Sequence, residues 1–390
     1  MGAVDDRTVE PLSDSDRELL ERHKPILQFD PQYDYRVLAA GSALANPGNV
    51  LRRNHGEVLA RSSDARPLEL DALVGYPAGL EPEDGDYLAL APDHPGDAGR
   101  MECEEPHRGC IYGRVKADGG RTWLQYWFWL YYNPKNLFGF GKHEGDWEMV
   151  QIGLDGELRP EVASYAQHNS GEARPWRPGA MRFKEDDPQR PVAYVSPLSH
   201  ASYFEPGTHP YLVGIDDPRA DGPPADLPLA AFGDWACWRG KWGNPERAIV
   251  SRVGQGPSSP GWQGAKWDAP GAWHRKLRYR KLRVLLGRAV HALGSLTYPH
   301  PPTQVRAELA GERVNVDYEL AGGSRGGRHL HVTLHEEHLV IASRILAHAP
   351  RKDRTTLRVP DDRRPTAVMA SVYNAARQRS EPVEADLADR

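Results

Sequence analysis

The segment Trp123-Leu-Gln-Tyr-Trp-Phe-Trp-Leu-Tyr-Tyr132 limits what this chain can fold into more than any other stretch. A helix needs about 20 apolar residues to span a bilayer, and this run is shorter and is interrupted by Gln125. Aromatic side chains suit the pleated surface of a sheet, so the run reads as a core strand. Upstream, Ile111-Tyr-Gly-Arg-Val-Lys116 and the pair Gly119-Gly120 complete the pattern of a hairpin. Further strands are predicted over 147–154, 161–167 and 191–196, each aromatic or β-branched and bounded by turn residues. With 38 Gly and 34 Pro in 390 residues, the chain is expected to be all-β, a large β-sandwich with extensive loops.

The length exceeds what one hydrophobic core usually serves, so a division is expected. Residues 1–273 read as the large sandwich, entered through a helix over 14–24 and covered over 31–110 by irregular loops with short strands. Residues 205–272 read as loops whose Trp235, Trp238, Trp242, Trp262 and Trp267 cap the sheet edges and one end of the core. Residues 274–298 read as a linker. Within it, the pattern over 272–293 predicts a basic amphipathic helix with a stripe of Leu277, Leu282, Leu285, Leu286 and Leu293. After Pro299, short strands over 305–309, 314–320, 330–334, 339–345, 355–359 and 367–373 predict a small immunoglobulin- or fibronectin-like sandwich over 299–390. The polar tail from Arg377 is expected to fray.

A formal charge of −5 argues against nucleic acid as a partner, because phosphate binding normally shows as a basic excess. The start, Met1-Gly-Ala-Val-Asp-Asp6, carries no signal-peptide pattern, which predicts a cytoplasmic protein, with peripheral membrane contact through helix 275–288 as an extension. Three cysteines cannot all pair. Reduced thiols are expected, with closure of a small loop by Cys103 and Cys110 as one alternative. Cys103, His107 and Cys110 also resemble part of a zinc site, but no fourth ligand is evident.

The chemistry concentrates in Gly141-Lys-His-Glu-Gly-Asp-Trp-Glu148. In a strand, Asp146 and Glu148 point to one face, about 7 Å apart, so both can reach one cation. Gly145 allows a bend that returns His143 to the same point, while Trp147 enters the core from the opposite face. The alternative is a surface strand with two solvated acids and a chance histidine. Asn133 and Asn136 lie just upstream, and His168 and His200 end successive candidate strands, which favours a shared site. Carboxylates with an amide favour Mg²⁺, Ca²⁺ or Mn²⁺; ligation by His168 or His200 would favour Zn²⁺ or Fe²⁺.

Trp123-Leu-Gln-Tyr-Trp-Phe, His143-Glu-Gly-Asp-Trp-Glu148, Tyr165-Ala-Gln-His168 and Ser199-His-Ala-Ser-Tyr-Phe204 together resemble the vacuolar protein sorting-associated protein sixty-two family, across residues 20–273. That family has no firmly established activity. Gly141-Lys-His-Glu-Gly-Asp-Trp-Glu148 is also distantly similar to the Gly-His-Arg-His-Asp-Trp-Glu of necrosis- and ethylene-inducing-like cytolysins. In those proteins a β-sandwich holds a divalent cation that helps to engage sphingolipid head groups. The resemblance implies His143, Asp146 and Glu148 as ligands, with Asn136 of Pro134-Lys-Asn standing for an upstream acid. Two positions depart: Gly145 replaces the second motif histidine, and Asn136 is neutral.

Two functions are therefore expected to compete. One is metal-dependent binding of an anionic lipid or glycan head group. The other is a metal-dependent hydrolase with His168 or His200 as acid or base. No Gly-x-Ser-x-Gly elbow, phosphate loop or dinucleotide fingerprint narrows the bond.

Overall fold

The computed structural model describes residues 7–388 apart from 33–36, 77–79, 94–96, 99–100, 102–107, 134–142, 169, 198, 208, 212–213, 221, 223, 245–255, 278–298, 322–328, 337–338, 347–348, 360–362 and 374–379. Helix α1 (Asp14–His23) is capped by the Ser13 hydroxyl, which accepts from the Asp16 amide, with acids in its first turn and bases in its last. Then follow β1 (Ile26–Gln28), β2 (Val37–Leu38), α2 (Gly41–Ala45), β3 (Val50–Arg52), β4 (Val58–Arg61) and β5 (Tyr87–Ala89), the short elements expected of a covering region.

The hairpin forms between β6 (Ile111–Asp118) and β7 (Arg121–Asn133). Gly119 and Gly120 stand at φ 61° and 77°, the conformation that a tight hairpin turn demands and glycine adopts without strain. Next come β8 (His143–Leu154), β9 (Pro160–Gln167), β10 (Ser170–Pro175), β11 (Phe183–Lys184), β12 (Asp187–Val195) and β13 (Ser202–Tyr203). The hairpin β14 (His209–Tyr211) and β15 (Gly214–Asp216) precedes β16 (Pro224–Ala225) and β17 (Leu229–Ala231). One sheet runs β10-β9-β8-β7-β6-β17, with β2 against β7; the other runs β11-β12-β1-β16, with β13 against β12.

Strand β7 is buried on both faces. Leu124, Tyr126, Phe128 and Leu130 pack with Val150, Ile152, Ala193 and Val195 between the two sheets. Trp127, Trp129 and Tyr131 face the other way, into a cluster with Trp147, Trp235, Trp238, Trp242 and Trp267. The sequence reading placed the tryptophan-rich loops at the sheet edges and one end of the core; they instead roof a whole face of the sheet. A strand that is apolar on both sides has no solvent face, so something must cover the second one. Short helices α3 (Ala265–Asp268) and α4 (Pro270–Leu277) complete that roof, Trp267, Trp273 and Leu277 joining the cluster. The predicted basic helix starts as α4 and is described to Leu277; the rest of 275–288 lies outside the described residues.

The C-terminal module contains β18 (Pro302–Ala310), β19 (Arg313–Leu320), β20 (His329–Glu336), β21 (Leu339–Leu346), β22 (Lys352–Arg358), β23 (Ala367–Tyr373) and β24 (Val383–Ala388). β21-β20-β23-β24 form one layer and β18-β19-β22 the other, and β24 joins them by also pairing parallel with β18. Val314, Val316, Leu330, Val332 and Leu334 fill the space between, as an immunoglobulin- or fibronectin-like sandwich requires. The tail does not fray over 383–388, because β24 completes the pairing of β23 and β18. Cys110 and Cys237 are buried free thiols, and burial pushes the Cys110 thiol up to about 11. Cys103 and His107 lie outside the described residues. Among the described residues, no helix is long and apolar enough to cross a membrane.

Candidate functional site

The alternation of β8 builds the site. Asp146 and Glu148 lie across from Leu130 and Phe128 of β7, and so share the face between the sheets with Val150 and Ile152. Trp147 and Met149 enter the aromatic cluster behind. Asp146 is 8% exposed and Glu148 5%, so the acids are not those of a solvated surface strand.

The strand begins at His143, and Gly145 sits inside it at φ 64°. A Cβ there would lie 2.2 Å from the Trp242 carbonyl oxygen, so only glycine fits. The left-handed residue interrupts the strand's alternation. Glu144 runs to the loop side, where Oε2 accepts from the amides of Leu90 at 2.9 Å and Asn244 at 2.8 Å. His143 folds back: Nδ1 donates to the Gly145 carbonyl at 2.6 Å, which leaves Nε2 as the lone-pair nitrogen. Asn133 joins the group, its Nδ2 donating to His143 Nε2 at 3.1 Å and reaching Asp146 Oδ2 at 3.4 Å.

His200 arrives from the loop after β12 at φ 55°, and its Nδ1 donates to Asp146 Oδ2 at 2.9 Å. Burial alone would raise Asp146, but the His200 hydrogen bond and the nearby imidazoles outweigh it and hold the carboxyl below its ordinary value. Burial drives Glu148 well above its ordinary value, and the Asp146 charge pushes it further up. The Glu148 Oε2 atom is buried with no hydrogen-bond partner among the described residues.

His168 ends β9 at φ 54° and is directed elsewhere: its Nε2 donates to Asp216 Oδ2 at 2.8 Å, and the Tyr203 hydroxyl donates to the same oxygen at 2.5 Å. Burial opposes ionisation of Asp216, yet these two donors hold it below the usual carboxylate value. Its charge adds to the upward push on Glu148. Sequence reasoning gathered His143, Asp146, Glu148, His168 and His200 at neighbouring strand ends, and missed Tyr203 and Asp216 as partners. Tyr203 lay within Ser199-His-Ala-Ser-Tyr-Phe204. Asp216 had no local signal, since it meets a histidine 48 residues away. Asn136 lies outside the described residues.

Two carboxylates and an imidazole are donor types that suit a divalent cation, and the unpartnered Glu148 oxygen is consistent with that chemistry. Among the described residues, however, no three His, Cys, Asp or Glu side chains converge as a metal-holding group.

No family model and no curated protein matches the chain, so the likeness to the vacuolar sorting family remains one of motifs. Several solved structures are similar. Necrosis and ethylene inducing protein 2, from the causal agent of cocoa's witches' broom disease, is 16% identical over 61% of this chain and 83% of its own, with a TM-score of 0.30. The non-toxic HaNLP3 protein is 13% identical over 63% and 86%, with a TM-score of 0.31. NLPPya in complex with mannosamine is 14% identical over 59% and 79%, with a TM-score of 0.28.

Proposed function

We propose that this polar end of the large sandwich binds a divalent cation, Mg²⁺, Ca²⁺ or Mn²⁺, and through it a sugar or an anionic lipid head group. Asp146, Glu148 and His143 would hold the ion, with Asn136 as the further oxygen donor the motif implies. The observation that carries the reading is a pair of buried acids on one strand face, with Glu148 Oε2 lacking a partner among the described residues. Burying a carboxylate without compensation is costly, and a bound cation offsets that cost. Calorimetric titration with Mn²⁺, Ca²⁺ and Mg²⁺ tests it. Binding to the native chain should weaken more than about tenfold in Asp146→Ala/Glu148→Ala, and equal behaviour of the two proteins overturns the reading. Mannosamine, the sugar bound in one similar structure, and anionic vesicles are the probes for the second step, each with and without the ion.

A hydrolytic reading rests on a different observation, the opposite displacement of Asp146 and Glu148 beside the Asp146–His200 and Asp216–His168 pairs. His200 or His168 would then act as acid or base. Turnover of ester, phosphoester or glycoside chromogenic substrates that His200→Ala abolishes would favour it; no turnover across the three classes removes it.

A further inference from the structure

Among the described residues, a hydrogen bond and an ion pair join the C-terminal module to the large sandwich, and both land on one platform. Gln32 Nε2 donates to Thr333 Oγ1 at 3.5 Å, with both residues buried, and the Arg219 guanidinium pairs with Glu381 at 2.8 Å. The segments bearing Gln32 and Arg219 are bonded to each other. β1 pairs with β16 through Leu27–Ala225 and Gln28–Pro224, and Gln28 Nε2 donates to the Gly222 carbonyl. A Cβ on Gly222 would lie 2.1 Å from the Phe29 carbonyl oxygen, so the two segments touch through backbone.

The same platform carries part of the site. Asp216 closes the β14–β15 hairpin, three residues before Arg219, and its carboxylate holds His168 and Tyr203. The Tyr203 ring stacks on His209 of that hairpin at 4.1 Å. The Gly207 amide donates to the Pro218 carbonyl at 2.7 Å, tying the two ends of the loop. An open cleft of about 410 Å³ runs beside them, lined by Gly207, Asp217 and Arg219 from the sandwich and by Glu381 from the module.

We propose that the C-terminal module acts as an intramolecular clamp: docked through Arg219–Glu381 and Gln32–Thr333, it holds the β14–β15 hairpin, and Asp216 with it, in the position that orients His168. The ion pair itself contributes little stability, since the Glu381 side chain is 70% exposed. Its value is positional, because the Arg219 side chain is only 16% exposed and its charge is committed at the junction. Small polar junctions between domains permit relative motion, so a ligand that prefers the docked arrangement would shift its population.

Charge reversal tests the clamp without any ligand. Arg219→Glu, Glu381→Arg and the double swap are compared by hydrogen–deuterium exchange read by mass spectrometry over 209–216, with thermal melting to verify folding. Each single reversal should speed exchange there about fivefold or more while leaving β7 and β8 unchanged, and the swap should restore it. Unaltered exchange in the single variants overturns the clamp, as does a swap that fails to restore it. Where Arg219→Glu disturbs its own loop, Glu381→Arg, exposed and on the other module, decides alone. Failure of cation binding leaves this result untouched.

Discussion

At Gly145 the backbone stands at φ 64° with the Trp242 carbonyl against it, and the placement of His143, Glu144 and Asp146 depends on that one residue. Gly145→Ala should therefore destabilise the chain by at least about 2 kcal/mol, read by urea unfolding, whereas Ala at the half-buried, positive-φ Gly56 has nothing nearby to strike and should cost less. Period-two reasoning made the shared face of Asp146 and Glu148 legible. It could not reveal the interruption at Gly145, because the contact that imposes it comes from Trp242, far along the chain. A second residue-scale prediction concerns Asp226, whose carboxyl is held below its ordinary value chiefly by hydrogen bonds from Arg190. A depressed folded value means stabilisation that is present above the unfolded carboxylate pKa of about 3.9 and lost as pH falls through the folded one. Asp226→Asn should thus lower the melting temperature at neutral pH, with the difference shrinking towards zero in strong acid.

Among the elements, β7 shows what double burial means. In a half-solvated strand only alternate truncations are costly. Here Phe128 faces the opposite sheet and Trp129 the aromatic roof, both fully buried, so Phe128→Ala and Trp129→Ala should each cost about 3–5 kcal/mol by denaturant unfolding. The aromatic run announced this strand, but it did not show that loops and short helices would cover its second face. Nor did the sequence reveal the parallel pairing of β1 with β12, since Ile26 meets Val192 and no local pattern encodes that distance. β24 was missed for a related reason: Val383-Glu-Ala-Asp-Leu-Ala388 is too polar to stand out, and its pairing with β23 and β18 gives it its structure. Removing residues 381–390 should leave both partner strands with open edges and make the module aggregate, read by solubility and size-exclusion chromatography.

For the whole molecule, two sandwiches share the work unequally. The large one brings the starts and ends of β8, β9, β12 and β13 together, so acids and imidazoles distant in sequence meet at one end of the space between its sheets. The small one docks beside the Asp216 loop. Its immunoglobulin-like layering was readable from evenly spaced alternating strands; its contacts with the large sandwich were not, because those among the described residues pair polar side chains far apart in sequence. Crystals of the native chain soaked in Mn²⁺ and measured for anomalous scattering test the account most directly. A peak within bonding distance of carboxylate oxygens of both Asp146 and Glu148 is the expected result, and a well-ordered map with both carboxylates clear and no such peak contradicts it.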